Sequence, residues 1–346
     1  MDAVVLRENG TPRLVDRPRP DPGPGEALVR IDRVGIDGTD REVLDGAHGD
    51  VEESMVLGHE AVGTVAEPNG TGLETDETVV PTVRRPPGAY NEYFRRGEPD
   101  MAPMDATVEC GIDGADGFMA EYVAVPSEYL VPLPDRLAPY GFLVEPLSIT
   151  AKALELASAS REPFTWDRDR ALVLGTGSLG LLTVPVLAEQ FDAVYCLGRR
   201  DRDDPGVELA IEAGATYVDS RETPVDEIPE AHAPMDLVVE ATGHPPHAVE
   251  SVAALAPNGV AALLGVPEAQ TTEVDLGAFH RELVLGNRAM VGSVNAGYTH
   301  FERAIEWLDA MPASVRSAFT EHVYPVEQFE AALDSDVIKA AVEIGP

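Results

Sequence analysis

The stretch LVLGTGSLGLL at residues 172–182 decides the fold of this chain. It is a G-x-G-x-x-G motif made by Gly175, Gly177 and Gly180, directly after an apolar strand and at the start of a helix. In such a motif the first glycine makes a tight turn, the second lets the backbone approach a pyrophosphate, and the third allows close packing of helix on strand. The helix N-terminus then faces the phosphate charge. The stretch predicts a dinucleotide site; a glycine-rich strand–helix turn is the alternative.

The sequence after Arg170 alternates apolar strand runs with helical stretches. ALVLG, AVYCLG, MDLVVEAT and GVAALLGV have the character of strands, and helical segments separate them. This alternation indicates βαβ units and a parallel sheet. We therefore predict a doubly wound parallel-sheet (Rossmann) domain over residues 169–292. The motif residues expected to contact the cofactor are Gly175, Thr176, Gly177, Ser178, Leu179 and Gly180.

The first half of the chain has a different pattern. Short alternating strands such as AVVLRE, EALVRIDRVGI and MAEYVAVP are separated by proline and glycine, which indicates an irregular β-rich domain. After Val291 the chain contains an amphipathic helix, YTHFERAIEWLDAM, and a terminal run that could return to the first domain. The predicted fold class is α/β, with residues 1–168 and 293–346 forming the first domain.

The end of the second strand of the nucleotide domain bears on which dinucleotide is bound. An acid there would accept the ribose 2′-OH of NAD, but the strand AVYCLG is followed by Arg199 and Arg200. Two guanidinium groups can hold a 2′-phosphate through charge-assisted hydrogen bonds. The pair favours NADP, although Asp201 directly after it could support NAD.

Composition excludes several kinds of partner. The chain carries 61 Asp plus Glu against 25 Lys plus Arg, a net charge of −36, yet 44% of its residues are apolar and can bury a large core. This charge argues against nucleic acid and anionic membrane as partners. Nearly all the cations are arginine, and the combination suits a salt-adapted protein. Two cysteines and an N-terminus unlike a signal peptide predict a cytoplasmic location.

Asp37, His59, Glu60 and the distant Glu145 are candidate metal ligands. When an alcohol gives a hydride to a dinucleotide, its hydroxyl proton must also be removed. A zinc ion with three protein ligands and one open position assists the removal of this proton. The alternatives stay open from the residues alone: Asp37 could cap the helix that GTDREVL begins, and His59 could be a buried structural histidine. In so acidic a chain the cluster could also be a solvated surface.

Several motifs in order make the chain resemble the medium-chain, zinc-dependent alcohol dehydrogenases, and most closely the archaeal glucose dehydrogenases. They are VGIDGTD, VLGHEAVGTV, GFMAEYVAVP, FLVEPLS, VLGTGSLGLL, GRRDR and VGSVN, and they span nearly the whole sequence. The resemblance implies that the β-rich domain is a GroES-like catalytic domain. It also implies a homodimer or homotetramer.

The resemblance implies the following metal site. Asp37 stands where a cysteine ligand is ordinary, and an oxygen donor there lowers the expected zinc affinity. His59 is the imidazole ligand, Glu60 ligates directly or supports the ligands, and Glu145 supplies a further oxygen and also contacts the sugar. One catalytic zinc per subunit is expected. The span that holds a structural zinc in many relatives keeps only Cys110, so no structural zinc is expected.

The resemblance also assigns catalytic and substrate roles. Thr39 is expected to hydrogen-bond the reacting hydroxyl and pass its proton outward, with Asp40 beside it and Glu60 as a further catalytic group; a simple turn at Thr39 is the alternative. The residues expected to bind sugar hydroxyls are Thr39, Glu109, Glu145 and Asn295. Ile149 stands where some relatives carry an acid, which puts one sugar contact in doubt.

Two strand-end segments are expected to contact the nicotinamide end of the cofactor. They comprise Leu264, Gly265 and Val266 in one segment and Ser293, Val294 and Asn295 in the other. Ordinary strand packing is an equal alternative for the side chains of Leu264 and Val266.

The expected activity is NADP-dependent, zinc-assisted oxidation of the C1 hydroxyl of D-glucose to the lactone, with other aldoses as further candidate substrates. Three alternatives remain. One is a dehydrogenase of another polyol or alcohol, the second is a zinc-free NADPH-dependent reductase, and the third is a non-catalytic NADP-binding sensor.

Overall fold

A computed structural model of the chain describes residues 1–8, 10–48, 54–267 and 270–345. These residues form two compact units. Unit 1 contains residues 1–148, 295–310 and 316–346, and unit 2 contains residues 149–294 and 311–315. The limits predicted from sequence, 1–168 with 293–346 and 169–292, remain predictions. Within the described part of the chain, no helix combines the length and apolar character needed to cross a membrane.

The described strands range from two to eleven residues in unit 1 and from four to nine residues in unit 2. They are β1 Asp2–Arg7, β2 Pro12–Asp16, β3 Glu26–Ile36, β4 Ser54–Val56, β5 Glu60–Glu67, β6 Thr78–Pro81, β7 Arg84–Arg85, β8 Val108–Cys110, β9 Gly114–Ala115, β10 Tyr122–Pro126, β11 Leu130–Pro132, β12 Arg170–Leu174, β13 Ala193–Gly198, β14 Ala215–Asp219, β15 Met235–Glu240, β16 Leu255–Leu263, β17 Ala289–Gly292, β18 His322–Pro325 and β19 Ala340–Glu343.

The α-helices fall mainly in the second half of the chain. They are α1 Gly38–Leu44, α2 Glu92–Arg95, α3 Val144–Ala159, α4 Ser178–Ala188, α5 Pro205–Glu212, α6 Ile228–Ala231, α7 Pro245–Ala254, α8 Leu276–Leu285, α9 Tyr298–Ala310, α10 Ala313–Ala318 and α11 Phe329–Leu333. Short 3-10 helices lie between them, including Pro99–Met101 and Met104–Ala106.

Unit 1 is built around a mixed sheet in the order β11-β6-β5-β3-β19-β18, with β10 also paired to β3. The eleven-residue β3 makes this possible, because its first half pairs with β10 and its second half with β19. Apolar residues alternate along β3 and pack into one core with those of β1, β5 and β19. The C-terminal strands therefore complete the sheet that carries the candidate metal ligands.

Unit 2 is a six-stranded sheet in the order β14-β13-β12-β15-β16-β17, and every pairing in it is parallel. Numbered from β12, this is the order 3-2-1-4-5-6 of doubly wound dinucleotide-binding sheets. The strands are almost continuously apolar because helices cover the sheet. The predicted doubly wound α/β fold is confirmed.

Candidate active site

Asp37 lies at the end of β3 and caps α1. Its Oδ1 accepts hydrogen bonds from the backbone N–H groups of Thr39 (2.8 Å) and Asp40 (3.2 Å). In return, the Asp37 N–H donates to Asp40 Oδ2 at 3.0 Å, which completes a capping box. Asp37 is therefore the N-cap of α1, as one of the two interpretations of this residue predicted. The cap also fixes the carboxylate in one orientation beside His59.

His59 is buried between two carboxylates of the same turn. Its Nε2 lies 3.7 Å from Asp37 Oδ1 and its Nδ1 lies 3.5 Å from Asp40 Oδ1. Burial alone lowers the pKa of the imidazole, but Asp40 and Asp37 outweigh it and hold the pKa well above its usual value. Asp40 is itself almost fully buried behind the ring, a position suited to orienting the imidazole. Its predicted part in a proton relay remains a prediction.

Glu60 starts β5 and pairs with Lys339, which directly precedes β19. The Lys339 Nζ donates to Glu60 Oε2, and both side chains are completely buried. Burial raises the pKa of Glu60 to about 7, and the Lys339 ammonium opposes that rise. A Cβ atom on Gly35 would lie 2.2 Å from Glu60 Oε2, so the chain needs glycine there to accommodate the pair.

Glu145 lies in the first turn of α3 and is buried beside His59 and Glu60. Burial raises its pKa to about 8, with His59 lowering the pKa and Glu60 raising it further. Burial raises the pKa of Asp37, but the charge and hydrogen bond of His59, together with Lys339 and the Asp40 N–H, hold that pKa below its usual range. The four predicted ligands therefore lie close together, with His59, Glu60 and Glu145 buried and Asp37 half-buried.

The residues present fit a divalent metal ion. Ligand atoms of His59, Glu60 and Glu145 all lie within 4.8 Å of one another, and so do those of Asp37, Asp40 and His59. Within this cluster, Glu60 Oε1 is buried without a hydrogen-bond partner among the described residues, and Asp40 Oδ1 and His59 Nδ1 face each other at 3.5 Å without forming a hydrogen bond. Native structures rarely leave such atoms unsatisfied, and metal sites are one of the exceptions. Imidazole and carboxylate donors suit zinc.

Glu109 and Asn295, the predicted sugar ligands, contact each other. Asn295 Nδ2 donates to Glu109 Oε1 at 3.2 Å, and Arg84 Nε donates to the same oxygen at 2.9 Å. All three side chains are buried. Thr39 is half-buried, and its hydroxyl donates to Asp37 Oδ2 at 3.4 Å.

The three glycines of the nucleotide motif have distinct environments. Gly175 has φ of +120°, which favours glycine, and a Cβ on Gly180 would lie 2.2 Å from the Gly175 carbonyl oxygen. A Cβ on Gly177, at the N-terminus of α4, would meet nothing within 4 Å. These are the three features that the motif predicts: a turn, close packing of the helix, and open space for a pyrophosphate.

Arg199 and Arg200 follow β13, as the sequence indicates. Arg199 is exposed, whereas Arg200 Nη1 donates to Asp204 Oδ2 at 3.0 Å. Asp201, the acid that could support NAD, is held by Arg221 at 2.7 Å. The contact of Arg199 and Arg200 with a 2′-phosphate remains a prediction, and Arg199 is the more exposed of the two.

The segment Leu264, Gly265 and Val266 follows β16 and, with Ser293 and Val294, lines a cavity of about 390 Å³ in unit 2. Leu264 is buried and Val266 is exposed. The alternative that these side chains serve ordinary strand packing therefore fits the buried Leu264 and does not fit the exposed Val266.

Sequence reasoning missed Glu240, Lys339 and Arg84. Glu240 ends β15, and its carboxylate accepts hydrogen bonds from Thr242 N–H (2.7 Å) and Gly243 N–H (3.4 Å). Its carbonyl accepts from Leu264 and Gly265, so Glu240 connects the loops after β15 and β16. The rarity of lysine could have drawn attention to Lys339, since the chain has only Lys152 and Lys339.

Two family models match the chain. The model described as "Alcohol dehydrogenase GroES-like domain" matches residues 23–135, and that described as "Glucose dehydrogenase C-terminus" matches residues 138–344. The GroES-like domain expected in the first half of the chain is therefore confirmed.

Similar proteins cover the whole chain. The glucose 1-dehydrogenase of Haloarcula marismortui is 56% identical over 345 residues, with 98% of each chain covered, and that of Haloferax mediterranei is 53% identical over 349 residues, also with 98% covered. A solved structure of Haloferax mediterranei glucose dehydrogenase in complex with NADP, Zn and gluconolactone has a TM-score of 0.97 and 52% identity, and each chain is covered completely. The chain belongs to the archaeal glucose 1-dehydrogenase family of zinc-dependent medium-chain dehydrogenases.

Proposed function

We propose that this chain oxidises the C1 hydroxyl of D-glucose to the lactone, with zinc assistance and transfer of hydride to NADP. The observation that carries the proposal is the buried cluster of His59, Glu60 and Glu145, whose ligand atoms converge while some lack hydrogen bonds. The 56% identity to a glucose 1-dehydrogenase supports the choice of substrate. So does the likeness to a solved glucose dehydrogenase complexed with NADP, Zn and gluconolactone.

Asp37, His59 and one of the two glutamates would hold the zinc ion. When bound, zinc supplies Lewis-acid chemistry that acidifies a sugar hydroxyl. The carboxylate of Asp37 and one glutamate together balance the two charges of the ion. Lys339 occupies Glu60 Oε2, which leaves Oε1 as the oxygen of Glu60 that can ligate.

Thr39 is the residue that accepts and passes on the hydroxyl proton in this proposal. Its hydroxyl already donates to Asp37 Oδ2, so it is oriented by the residue that caps α1. As the Thr39 hydroxyl accepts the proton of the sugar hydroxyl, it would release its own proton to solvent water, which its half-buried position allows it to reach. General acid–base catalysis requires a side chain held within hydrogen-bond reach of the proton that it accepts.

Glu109, Asn295 and Glu145 are proposed to hydrogen-bond the other sugar hydroxyls. Each is buried, and a site of buried polar groups rejects substrates that leave those groups unpaired. This requirement favours a polyhydroxylated substrate over a short alcohol.

Steady-state kinetics across a panel of aldoses, polyols and short alcohols, with NADP in concentrated salt, test the proposed function. The highest kcat/KM is expected for D-glucose, with the lactone as product. A preference for short alcohols would replace the sugar assignment, and full activity after zinc removal would favour a zinc-free reductase. Tight NADP binding without turnover of any substrate would indicate a sensor.

The Arg199→Ala substitution tests the NADP preference. Loss of a charge-assisted contact to the 2′-phosphate is expected to raise the KM for NADP by about ten- to a hundredfold and to change the KM for NAD little. Arg303→Ala, which removes an exposed arginine from α9, is the matched control. Equal changes in both KM values would contradict the assignment of Arg199.

We also propose that two copies associate through α8 and β17. None of the α8 residues is buried, and the exposed apolar side chains of this surface are Leu276, Val284, Leu285 and Met290. Among the described strands, β17 pairs with β16 alone, so its outer edge is available for a second copy. High salt would favour the contact by screening the net charge of −36.

The dimer proposal predicts that Leu285→Glu with Met290→Glu yields a monomer in light scattering, because two carboxylates would be buried in the interface. Ile211→Glu is the control, since Ile211 is 50% exposed on α5, outside this surface. A double variant that keeps the wild-type mass would overturn the proposed contact.

We place the protein in a reducing cytoplasm, which the two free, buried cysteines support.

A further inference from the structure

Arg84 is a buried arginine at the start of β7, and its guanidinium contacts two parts of unit 1. It is only 2% exposed. Nε donates to Glu109 Oε1 at 2.9 Å, and Nη1 donates to the carbonyl oxygens of Asp100 (2.9 Å) and Ala102 (3.2 Å). Nη2 lies 3.1 Å from Met104 Sδ. One side chain thus connects the turns around residues 99–106 to the carboxylate of Glu109.

Glu109 is held from a second side by Asn295. Among the described residues, both hydrogen bonds to the Glu109 carboxylate end on Oε1, from Arg84 and from Asn295. Asn295 has φ of +57°, and its Oδ1 accepts from the Ala296 N–H at 2.8 Å, which fixes the amide. This leaves Glu109 Oε2 as the oxygen that can receive a hydroxyl from a bound molecule.

We propose that Arg84 is a positioning residue for sugar recognition, acting through Glu109 and Asn295. The inference rests on the proposed function, in which these two residues bind sugar hydroxyls. A buried carboxylate with a single neutral partner could rotate about its last torsion angle. The guanidinium and the amide fix that rotation, so Oε2 points in one direction before the sugar arrives. Preorganisation of this kind lowers the free-energy cost of binding.

The contacts require arginine. A guanidinium presents five N–H donors in a rigid plane and can reach Glu109 and both carbonyl oxygens together, whereas an ammonium is a compact point charge on a flexible stem. Lysine at position 84 would retain the charge and lose the fixed geometry. The neighbouring Arg85 provides a comparison: it lies over the Tyr129 ring at 4.0 Å and donates to the Arg84 carbonyl oxygen, without contact to Glu109.

The test measures Arg84→Lys and Arg84→Gln against the wild type, with Arg85→Lys as the control. Both Arg84 variants are expected to raise the KM for glucose by about ten- to a hundredfold, while the KM for NADP, bound zinc and kcat at saturating glucose change less than about threefold. A purely structural role would lower the melting temperature and leave the KM for glucose unchanged. That result in either folded variant would overturn the proposal.

A double-mutant cycle with Glu109→Gln gives a second test. If Arg84 acts through Glu109, Arg84→Lys should add little to the increase in KM that Glu109→Gln causes alone. Multiplicative effects would contradict the proposal. Failure of the proposed function is distinguishable, since the wild-type protein would then turn over no aldose. If the wild type is active and the Arg84→Lys variant has the same KM for glucose, only the role of Arg84 is rejected.

Discussion

Replacing His59 with asparagine is expected to remove bound zinc and to lower kcat/KM for glucose by roughly three or more orders of magnitude. Among the described residues, His59 is the one that belongs to both clusters of converging ligand atoms, so its replacement removes a ligand from each cluster. Asparagine keeps a polar side chain in the buried position but offers no imidazole nitrogen. Zinc content by atomic absorption and steady-state kinetics in the same preparation check the prediction.

His322→Asn is the matched control for this prediction, because His322 is an exposed histidine on β18 outside the cluster. It should retain both zinc and activity. The affinity of the His59→Asn variant for NADP, measured by fluorescence titration, should equal that of the wild type, since the glycine motif lies in unit 2. Wild-type turnover by zinc-free His59→Asn would remove zinc from the proposed chemistry.

Lys339→Met is expected to lower the free energy of unfolding by about 3–5 kcal/mol, because it leaves the carboxylate of Glu60 buried without its partner. Both side chains of the pair are completely buried, so solvent screening does not weaken the contact. Methionine approximates the length of the lysine stem and keeps most of the packing. Urea denaturation followed by fluorescence and circular dichroism measures the change, with coincident transitions supporting a two-state treatment.

The double variant Lys339→Met with Glu60→Gln should recover part of that loss, because no uncompensated charge then remains buried. Arg303→Met is the surface control: the Arg303–Glu306 pair is exposed, and breaking such a pair costs about 0–1 kcal/mol. If Lys339→Met proved as stable as Arg303→Met, the buried ion pair would not be a significant source of stability.

Local patterns predicted unit 2 well because its signals lie close together in sequence. The spacing of Gly175, Gly177 and Gly180 predicted a turn, an open position and a close approach, and each has its counterpart in the structure. The alternation of strands and helices predicted a parallel sheet. The order of the strands follows from the right-handed crossover of each βαβ unit and from the reversal after β14, which no short stretch of sequence specifies.

The site in unit 1 depends on contacts between distant residues. Lys339 and Glu60 are 279 positions apart, and only the pairing of β19 with β3 brings Lys339 into the site. Asn295 and Glu109 are 186 positions apart. No periodicity or spacing reports such pairs. For Asp37 the residues left two interpretations open, and the structure shows one oxygen in both places: Oδ1 caps α1 and also lies 3.7 Å from His59 Nε2.

Both ε-amines of this chain are in its interior: Lys152 is 4% exposed and Lys339 is 1% exposed. Acylating reagents attack the free amine, so the native fold should shield both side chains from succinimidyl esters and acetylating agents. Modification of Lys339 would then require the end of β19 to separate from β3, which makes the rate of acylation at that position a chemical measure of how often this sheet opens.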